Sequence, residues 1–144
     1  MAVGLQLTRN GTLVSLVERL GNLEPLFASI AAFAESAVVL GFNQGIDPYT
    51  DPWEPLADET IDRKGSAAPL IDTGNMLGSV NSSSSATTAV VGIGAEYARF
   101  HQEGTFAIPQ RMMIPRAGDL PPDWQAEIAA TITDYIQAID AGAL

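Results

Sequence analysis

The feature that most constrains this fold is an apolar stripe in the first third of the chain. It consists of Leu26, Ile30, Phe33, Ala37 and Leu40, with Phe27, Ala34 and Val38 beside it. Steps of three and four residues are typical of one face of an α-helix. So broad a face predicts a helix buried in the core, or one that also reaches a neighbouring subunit. Gly41 and Gly45 lie where left-handed C-terminal caps are expected.

The same apolar run does not read as a membrane anchor. Between Phe27 and Phe42 it is interrupted by Ser29, Glu35 and Ser36. It also falls short of the roughly 20 apolar residues that a helix needs to cross a bilayer. The sequence therefore predicts a buried helix and no membrane partner.

Composition excludes several classes of function. The 144 residues predict one domain, 1–144, and the net charge of −10 argues against binding of nucleic-acid phosphates or anionic lipid. No cysteine is present, so disulfides, cysteine zinc sites and a thiol nucleophile are excluded. With one histidine, a multi-histidine metal site would need several subunits. These absences argue against such metal sites, and the sequence taken as a whole leads us to predict no catalytic residue, metal or cofactor.

Shorter patterns predict the remaining elements. Val3–Thr8 alternates as a strand, and Thr12–Leu20 has the spacing of a short helix. Two antiparallel strands, from Met76 to Ser82 and from Ala86 to Ile93, are predicted with a hairpin tip at about Ser82–Ser85, and Ile108–Ile114 is predicted as a further strand. Gly94–Gln102 is predicted as a short helix that Gly104 ends. The last helix starts at Pro121-Pro122 and carries an apolar stripe of Trp124, Ile128, Ile132, Tyr135 and Ile139.

Together these elements predict an α+β fold. A small antiparallel sheet would pack against the long helix of the N-terminal half and against the C-terminal helix. A long extended loop, at about 43–69, would connect them. Three prolines indicate that this loop is irregular, and Tyr49, Trp53 and Leu56 would anchor it by burial. A turn of helix could occupy Thr60–Gly65.

The motif Asp72-Thr73-Gly74 admits two interpretations. Aspartic proteases place this tripeptide after an apolar strand, and a retroviral-type enzyme supplies the second carboxylate by dimerising. Such a fold is nearly all strand, whereas helical stripes lie on both sides of this motif. In the other interpretation Asp72 and Thr73 bond to nearby amides and Gly74 takes a positive φ, which makes the motif a turn. We favour the turn.

Tyr97 and His101 are predicted to lie one helical turn apart on one face. A histidine can act as a general base or a ligand. Neither a second histidine nor a serine in a glycine elbow accompanies it. The pattern therefore favours a structural or interface histidine.

A series of short pieces follows the apolar helix that ends near Phe42. In order they are Asp47-Pro48, Trp53-Glu54-Pro55-Leu56, Thr60, Lys64, Leu70 to Gly74, Leu77, Ser79-Val80, Val91-Gly92, Tyr97-Ala98, His101-Gln102-Glu103-Gly104 and Ile108-Pro109-Gln110-Arg111. With this order and spacing the chain resembles the phage virion morphogenesis family over nearly its whole length. Met113 stands where an aromatic residue is expected, and Pro115-Arg116 replaces the usual glycine.

The resemblance implies a non-enzymatic subunit at the head-proximal end of the tail, assembled in the bacterial cytoplasm and present in the virion. Such subunits would form a ring, expected to be a hexamer, that contacts tail-tube, sheath or neck proteins. DNA would pass nearby without sequence-specific binding. A minor protein associated with the tail tube is the alternative. The candidate interface or structural residues are Trp53, Leu56, Asp72, Thr73, Gly74, Tyr97, His101, Gln102 and Arg111.

Overall fold

The computed structural model of the protein describes residues 3–8, 21–71 and 74–140. Within these ranges the elements are, in chain order, β1 (Val3–Thr8), α1 (Glu24–Gln44), α2 (Asp58–Lys64), α3 (Asn75–Gly78), β2 (Val80–Ser84), β3 (Thr88–Ile93), α4 (Ala98–Glu103) and α5 (Pro122–Asp140). The strand predicted at residues 3–8 is confirmed. The helix predicted at Thr12–Leu20 and the pair Asp72-Thr73 lie outside the described residues.

Strand β3 lies at the centre of an antiparallel sheet with the order β1–β3–β2. Its Val91 is paired with Leu5 on one side and with Ser82 on the other. Ala89, Val91 and Ile93 are buried at alternate positions, so they share one face of the sheet. Helix α1 packs against β2 and β3, and α5 packs against α1. The predicted α+β fold is therefore confirmed.

The hairpin between β2 and β3 turns later than the sequence predicted. Ser82, Ser83 and Ser84 lie in β2, paired with Val91, Val90 and Ala89, so the tip predicted at Ser82–Ser85 is wrong for these three residues. The turn occupies residues 85–87, where the Ser85 hydroxyl accepts hydrogen bonds from the amides of Thr87 and Thr88, each 3.2 Å long. Small polar residues suit an edge strand as well as a turn, which is why composition misplaced the tip.

The start of that strand was also predicted too early. Residues 75–78 form the single helical turn α3, and β2 begins at Val80. The Ser79 hydroxyl donates to the carbonyl of Met76 (2.7 Å) and accepts from the amide of Ala95 (3.1 Å). Ser79 thereby links the end of α3 to the segment that follows β3.

Helix α1 has a polar start and a glycine end. The side-chain oxygen of Asn22 accepts a hydrogen bond from the amide of Glu24 (3.0 Å), which satisfies one free amide of the first turn. Gly45 has a φ of 68° and ends the helix in the left-handed conformation, as predicted. Gly41 lies inside the helix instead. A Cβ there would lie 3.1 Å from the carbonyl oxygen of Ile46, so glycine permits a close return of the chain.

The buried face of α1 is rotated from the predicted stripe. The buried residues are Leu26, Phe27, Ile30, Ala31, Ala34, Val38 and Phe42. Of the predicted stripe, Leu26 and Ile30 are buried, Phe33 and Ala37 are only partly buried, and Leu40 is 53% exposed. Apolar residues occur around most of this helix, so spacing alone could not decide which face meets the core.

By length and composition α1 could cross a membrane, since it is apolar and 21 residues long. The helix, Glu24–Gln44, is longer than the apolar run from Phe27 to Phe42 that the sequence shows. Its buried side chains belong to two core clusters that also contain residues of β3 and contacts from α5. The core helix of a soluble protein can be as long and as apolar as a membrane helix, and the packing of α1 favours a core helix.

Helix α5 is confirmed with the predicted start at the proline pair. Trp124 is buried and meets Phe33 edge to face, with ring centroids 5.6 Å apart. Ile128, Ile132 and Tyr135 pack against the second core cluster, and the Tyr135 hydroxyl donates to the carbonyl of Asn22 (2.7 Å). This helix therefore contacts the start of α1 through Tyr135 and its middle through Trp124.

The loop predicted at about 43–69 is ordered but not wholly extended. Gln44 still belongs to α1, and α2 occupies a longer stretch than the single turn expected at Thr60–Gly65. The Tyr49 hydroxyl donates to the carbonyl of Asp119 (2.6 Å) and accepts from the amide of Arg116 (2.9 Å). The loop is thus tied to the segment before α5.

The rotation of α1 can be tested by two substitutions on the same helix. Ile30→Ala should lower the free energy of unfolding by roughly 2–5 kcal/mol, because it opens a cavity in the second cluster. Leu40→Ala should change it by less than about 0.5 kcal/mol, because Leu40 is largely exposed. Urea denaturation followed by circular dichroism measures both. Equal losses would show that the stripe predicted from spacing faces the core.

Candidate functional site

Five of the nine predicted site residues line one cavity. They are Leu56, Gly74, Tyr97, His101 and Arg111, and the cavity of about 330 Å³ is also lined by Lys64. The cavity lies between α2, the start of α3, α4 and the segment after α4. Trp53 and Gln102 lie outside its lining and bond to the segment 112–114. Asp72 and Thr73 are not among the described residues.

Arg111 joins two irregular segments across the floor of the cavity. Its side chain is only 6% exposed, and its Nε and Nη2 donate to the carbonyls of Glu54 (2.8 Å) and Pro55 (3.2 Å). Its own amide donates to the carbonyl of His101 (2.8 Å). Burial lowers the pKa of Arg111 and the Glu54 carboxylate opposes this, so the guanidinium stays charged at neutral pH. The buried cation thus holds the loop before α2 against the end of α4.

His101 is a half-buried neutral ring. Its Nδ1 is buried and has no hydrogen-bond partner among the described residues. Burial, and then the neighbouring charge of Arg111, lower the pKa of His101. Both causes disfavour the protonated ring, so this imidazole is uncharged at pH 7.

Gln102 holds the segment after α4 through three hydrogen bonds. Its Oε1 accepts from the amides of Met113 (2.8 Å) and Ile114 (3.1 Å), and its Nε2 donates to the carbonyl of Ile114 (2.8 Å). Met113 and Ile114 are buried, so these backbone groups need partners inside the protein. We call this arrangement the Gln102 clamp.

Trp53 supports the same segment from the other side. Its indole Nε1 donates to the carbonyl of Met112 (2.8 Å), and its ring meets Phe42 edge to face at 5.6 Å. The side chain is buried in the first core cluster. Trp53 therefore connects the loop after α1 to the core and to residues 112–114 at once.

The strand predicted at Ile108–Ile114 is absent from the described sheet, so that prediction is wrong. The reason is visible in the bonds just described. The carbonyl of His101 and the side chains of Trp53 and Gln102 bond to backbone groups of residues 111–114 that a neighbouring strand would otherwise bond. The irregular buried segment is stable here because these groups replace the hydrogen bonds of a sheet.

The geometry does not follow the protease interpretation of Asp72. That interpretation expects a fold that is almost all strand, whereas the described residues contain helices of 21 and 19 residues on either side of the motif. Gly74 has a φ of 82° and begins α3, as the turn interpretation expects. Among the described residues, no group of three or more His, Asp or Glu side chains could hold a metal ion.

Comparison with known proteins gives a coherent result. The sequence profile of the phage virion morphogenesis family matches residues 8–133. The chain belongs to this family. It is 32% identical over 148 residues to the protein named Mu-like prophage FluMu G protein 2 of Haemophilus influenzae (strain ATCC 51907 / DSM 11121 / KW20 / Rd), covering 95% of this chain and 98% of that protein. No solved structure gives a significant match.

Membership of the phage virion morphogenesis family assigns the chain to virion assembly and to the virion itself. The matched range includes the Gln102 clamp, Arg111 and the cavity beside them. Some of the residues that carried the resemblance line this cavity together, although they are far apart in the chain: Leu56, Thr60, Lys64, Leu70, Gly74, Tyr97, His101 and Arg111.

Sequence reasoning missed the groups that these side chains bind. Arg111 donates to the backbone carbonyls of Glu54 and Pro55, and Trp53 donates to that of Met112. Every residue has a backbone carbonyl, so the sequence does not indicate which one will accept. It also missed the contact between β2 and α1, in which the Ser82 hydroxyl donates to the Glu35 carboxylate (2.5 Å). A glutamate interrupting the apolar helix was the available signal.

Removal of the Gln102 clamp should destabilise the fold. Gln102→Leu keeps much of the volume but leaves buried backbone groups of Met113 and Ile114 without partners, at about 1–3 kcal/mol for each. We expect urea denaturation to show a total loss of at least about 2 kcal/mol. Gln125→Leu is the control, because that side chain makes one exposed bond to Leu120. If the two variants were equally stable, the clamp would contribute nothing.

His101 should make the fold less stable in mild acid. Its pKa is lower in the folded chain than its ordinary value near 6.5, so the unfolded chain takes up a proton first as pH falls. The free energy of unfolding should therefore fall as pH drops from 7.5 to 5.5. In His101→Gln this drop should be smaller, because the glutamine side chain takes up no proton as the pH falls. Urea midpoints of both proteins at the two pH values test this, and equal drops would contradict it.

Proposed function

We propose that this protein is a non-enzymatic structural subunit that completes the head-proximal end of the phage tail or joins the tail to the head. The observation that carries the proposal is the family match over residues 8–133, together with the Mu-like prophage relative of nearly equal length. In this role the subunits form a closed hexameric ring. Their further partners are tail-tube, sheath or neck proteins, and assembly takes place in the cytoplasm of the bacterial host.

The polar side chains of the candidate site support a structural role, because they bond to the backbone of their own chain. Arg111, Gln102 and Trp53 all bond to backbone groups of their own chain. His101 has a lowered pKa and carries no described hydrogen bond at Nδ1 that would orient it as a base. These side chains hold loops in position, and positioned loops are what an assembly subunit offers to its neighbours.

The acidic composition fits a ring through which DNA passes. The chain carries 17 acidic and 7 basic residues, so a lumen with this average charge repels phosphates and does not retain them. In the proposed assembly the DNA is a passing neighbour and not a sequence-specific ligand. A basic lumen in an assembled ring would contradict this part of the proposal.

Deletion of the gene from an inducible prophage tests the structural role. The lysate should contain filled heads and separate tails, with few joined particles, and a plasmid copy of the wild-type gene should restore them. Electron microscopy of the lysate, with antibody labelling of the restored particles, measures the joining and the axial position of the protein. Normal particles without the gene would refute the proposal, and label along the tube would favour a minor tube-associated protein.

Asp72→Asn separates the structural role from the aspartic protease. In the structural role the variant restores joined particles, since amide and carboxylate oxygens can both accept hydrogen bonds in a turn. In a protease the same change removes the catalytic carboxylate. Circular dichroism confirms that the variant folds. Loss of a cleavage product that wild-type particles contain, with the fold intact, would support the enzyme.

A further inference from the structure

The turn after α4 holds one aromatic side chain away from the rest of the protein. Phe106 is fully exposed, whereas most large apolar side chains in the described ranges are at least partly buried. The turn itself is closed, since the amide of Thr105 donates to the carbonyl of Ile108 (2.8 Å). The Thr105 hydroxyl also accepts from the amides of Ala107 (3.2 Å) and Ile108 (3.0 Å). The exposed ring is therefore carried by a bonded turn.

Gly104 gives this turn its direction. It ends α4 with a φ of 75° and a ψ of 160°, a combination that is essentially restricted to glycine. A Cβ at this position would lie 3.0 Å from the amide nitrogen of Gln110. Only glycine permits the chain to leave the helix and return so closely, and Phe106 lies at the far point of that return.

A groove of about 350 Å³ lies elsewhere on the same subunit, between α1, α5 and the loop at 46–50. Its wall contains Phe33 and Trp124, the edge-to-face pair, with Ala37 and the exposed Leu40 beside them. The volume falls in the range of sites that bind small ligands, roughly 300–1,000 Å³, and is large enough for an aromatic side chain. Since Phe106 is fully exposed, it does not fill the groove of its own chain.

The charges around the groove limit what can enter it. Asp47, Asp123 and Glu127 line it, and none of the described residues around it is a lysine or an arginine. Most of the surface of a protein with a net charge of −10 would be repelled by these carboxylates. The Phe106 turn, residues 104–110, carries no charged side chain. Arg111, which follows the turn directly, is buried, so the nearest exposed cation in sequence is Arg99, which lies over the ring of Phe100 at 4.8 Å.

We propose that Phe106 of one copy seats in the groove between α1 and α5 of a second copy. The inference rests on the proposed ring and names the contact that would close it. One surface meets a different surface, so each bound copy leaves a turn and a groove free for the next. The ring of Phe106 adds a third aromatic to Phe33 and Trp124, and Arg99 approaches the acidic rim. Buried aromatic anchors of this kind dominate interface energies.

Self-association of the full chain tests the contact. Phe106→Asp should weaken association at least about tenfold, because it places a carboxylate among carboxylates. Leu40→Glu should do the same from the groove side. Ala67→Asp and Ala32→Glu are matched controls, since they add the same charges at exposed positions outside the turn and the groove. Analytical ultracentrifugation over a concentration series measures all five proteins, and circular dichroism checks that each is folded.

A mixture of the Phe106→Asp and Leu40→Glu variants tests directly whether the turn and the groove contact each other. The Phe106→Asp copy has an intact groove and the Leu40→Glu copy has an intact turn, so together they can form one good contact. Each variant alone should sediment as a monomer, and the mixture should give a 1:1 pair that grows no further. If each variant alone is a monomer and the mixture forms a pair, the turn of one copy must contact the groove of the other.

Two outcomes would overturn the inference. If Phe106→Asp and Leu40→Glu associate as the wild type does, the contact lies elsewhere, and the proposed ring survives. If the wild type remains monomeric up to about millimolar concentration, the contact is too weak to build a ring, and the inference fails. The virion position found by electron microscopy is independent of both results. Failure of this contact is therefore distinguishable from failure of the proposed function.

Discussion

The hydrogen bonds of Gln102 hold the part of the fold on which the rest depends. Residues 111–115 are buried without belonging to a strand or a helix, so their backbone groups cannot be satisfied by regular structure. Gln102, Trp53 and the carbonyl of His101 supply the missing partners. This buried segment in turn brings Arg111 against the loop before α2. The cavity and both irregular segments therefore depend on Gln102 together with Trp53, Arg111 and the carbonyl of His101.

Helix α1 contributes to two core clusters, which both contact β3 and α5 but differ in their other neighbours. Phe42 and Val38 pack with Trp53, Ile93 and Met113 in one cluster. Leu26, Phe27 and Ile30 form the other, which is covered by one side of α5. The C-terminal part of α1 thus supports the loops, and the N-terminal part supports the helix pair. A change in one cluster need not disturb the other, because few residues are shared between them.

Local patterns predicted the regular elements well and the irregular ones poorly. The strand at residues 3–8 and the helix from Pro122 follow directly from periodicity and proline placement, and both are present. The serine run was misplaced because its residues suit an edge strand and a turn equally. The strand expected at Ile108–Ile114 failed because partners distant in sequence took its backbone bonds.

The candidate site was predicted as a set of residues and not as an arrangement. Leu56, Tyr97, His101 and Arg111 were singled out, and the structure places them around one cavity. Helical spacing brought Tyr97 and His101 together, but the distance of Leu56 and Arg111 from them in sequence gave no means of deducing that all four meet. The contacts that bring them together run to main-chain oxygens, and these depend on the path of the whole chain. The buried face of α1 could not be deduced from the sequence either. Apolar residues lie on several faces of this helix, and tertiary packing decides which of them is buried.

The serines of β2 have a consequence for the fate of an isolated subunit. Strand β2 lies at one side of the described sheet and bonds there to β3 alone, so its outer amides and carbonyls could recruit a foreign strand. Three successive hydroxyl side chains give such an added strand little apolar surface to bury, and Ser82 is already engaged by Glu35. Cross-β stacking on this border is accordingly disfavoured. Residues that look, in the sequence, like a mere spacer therefore make this edge of the sheet a poor site for adding a further strand.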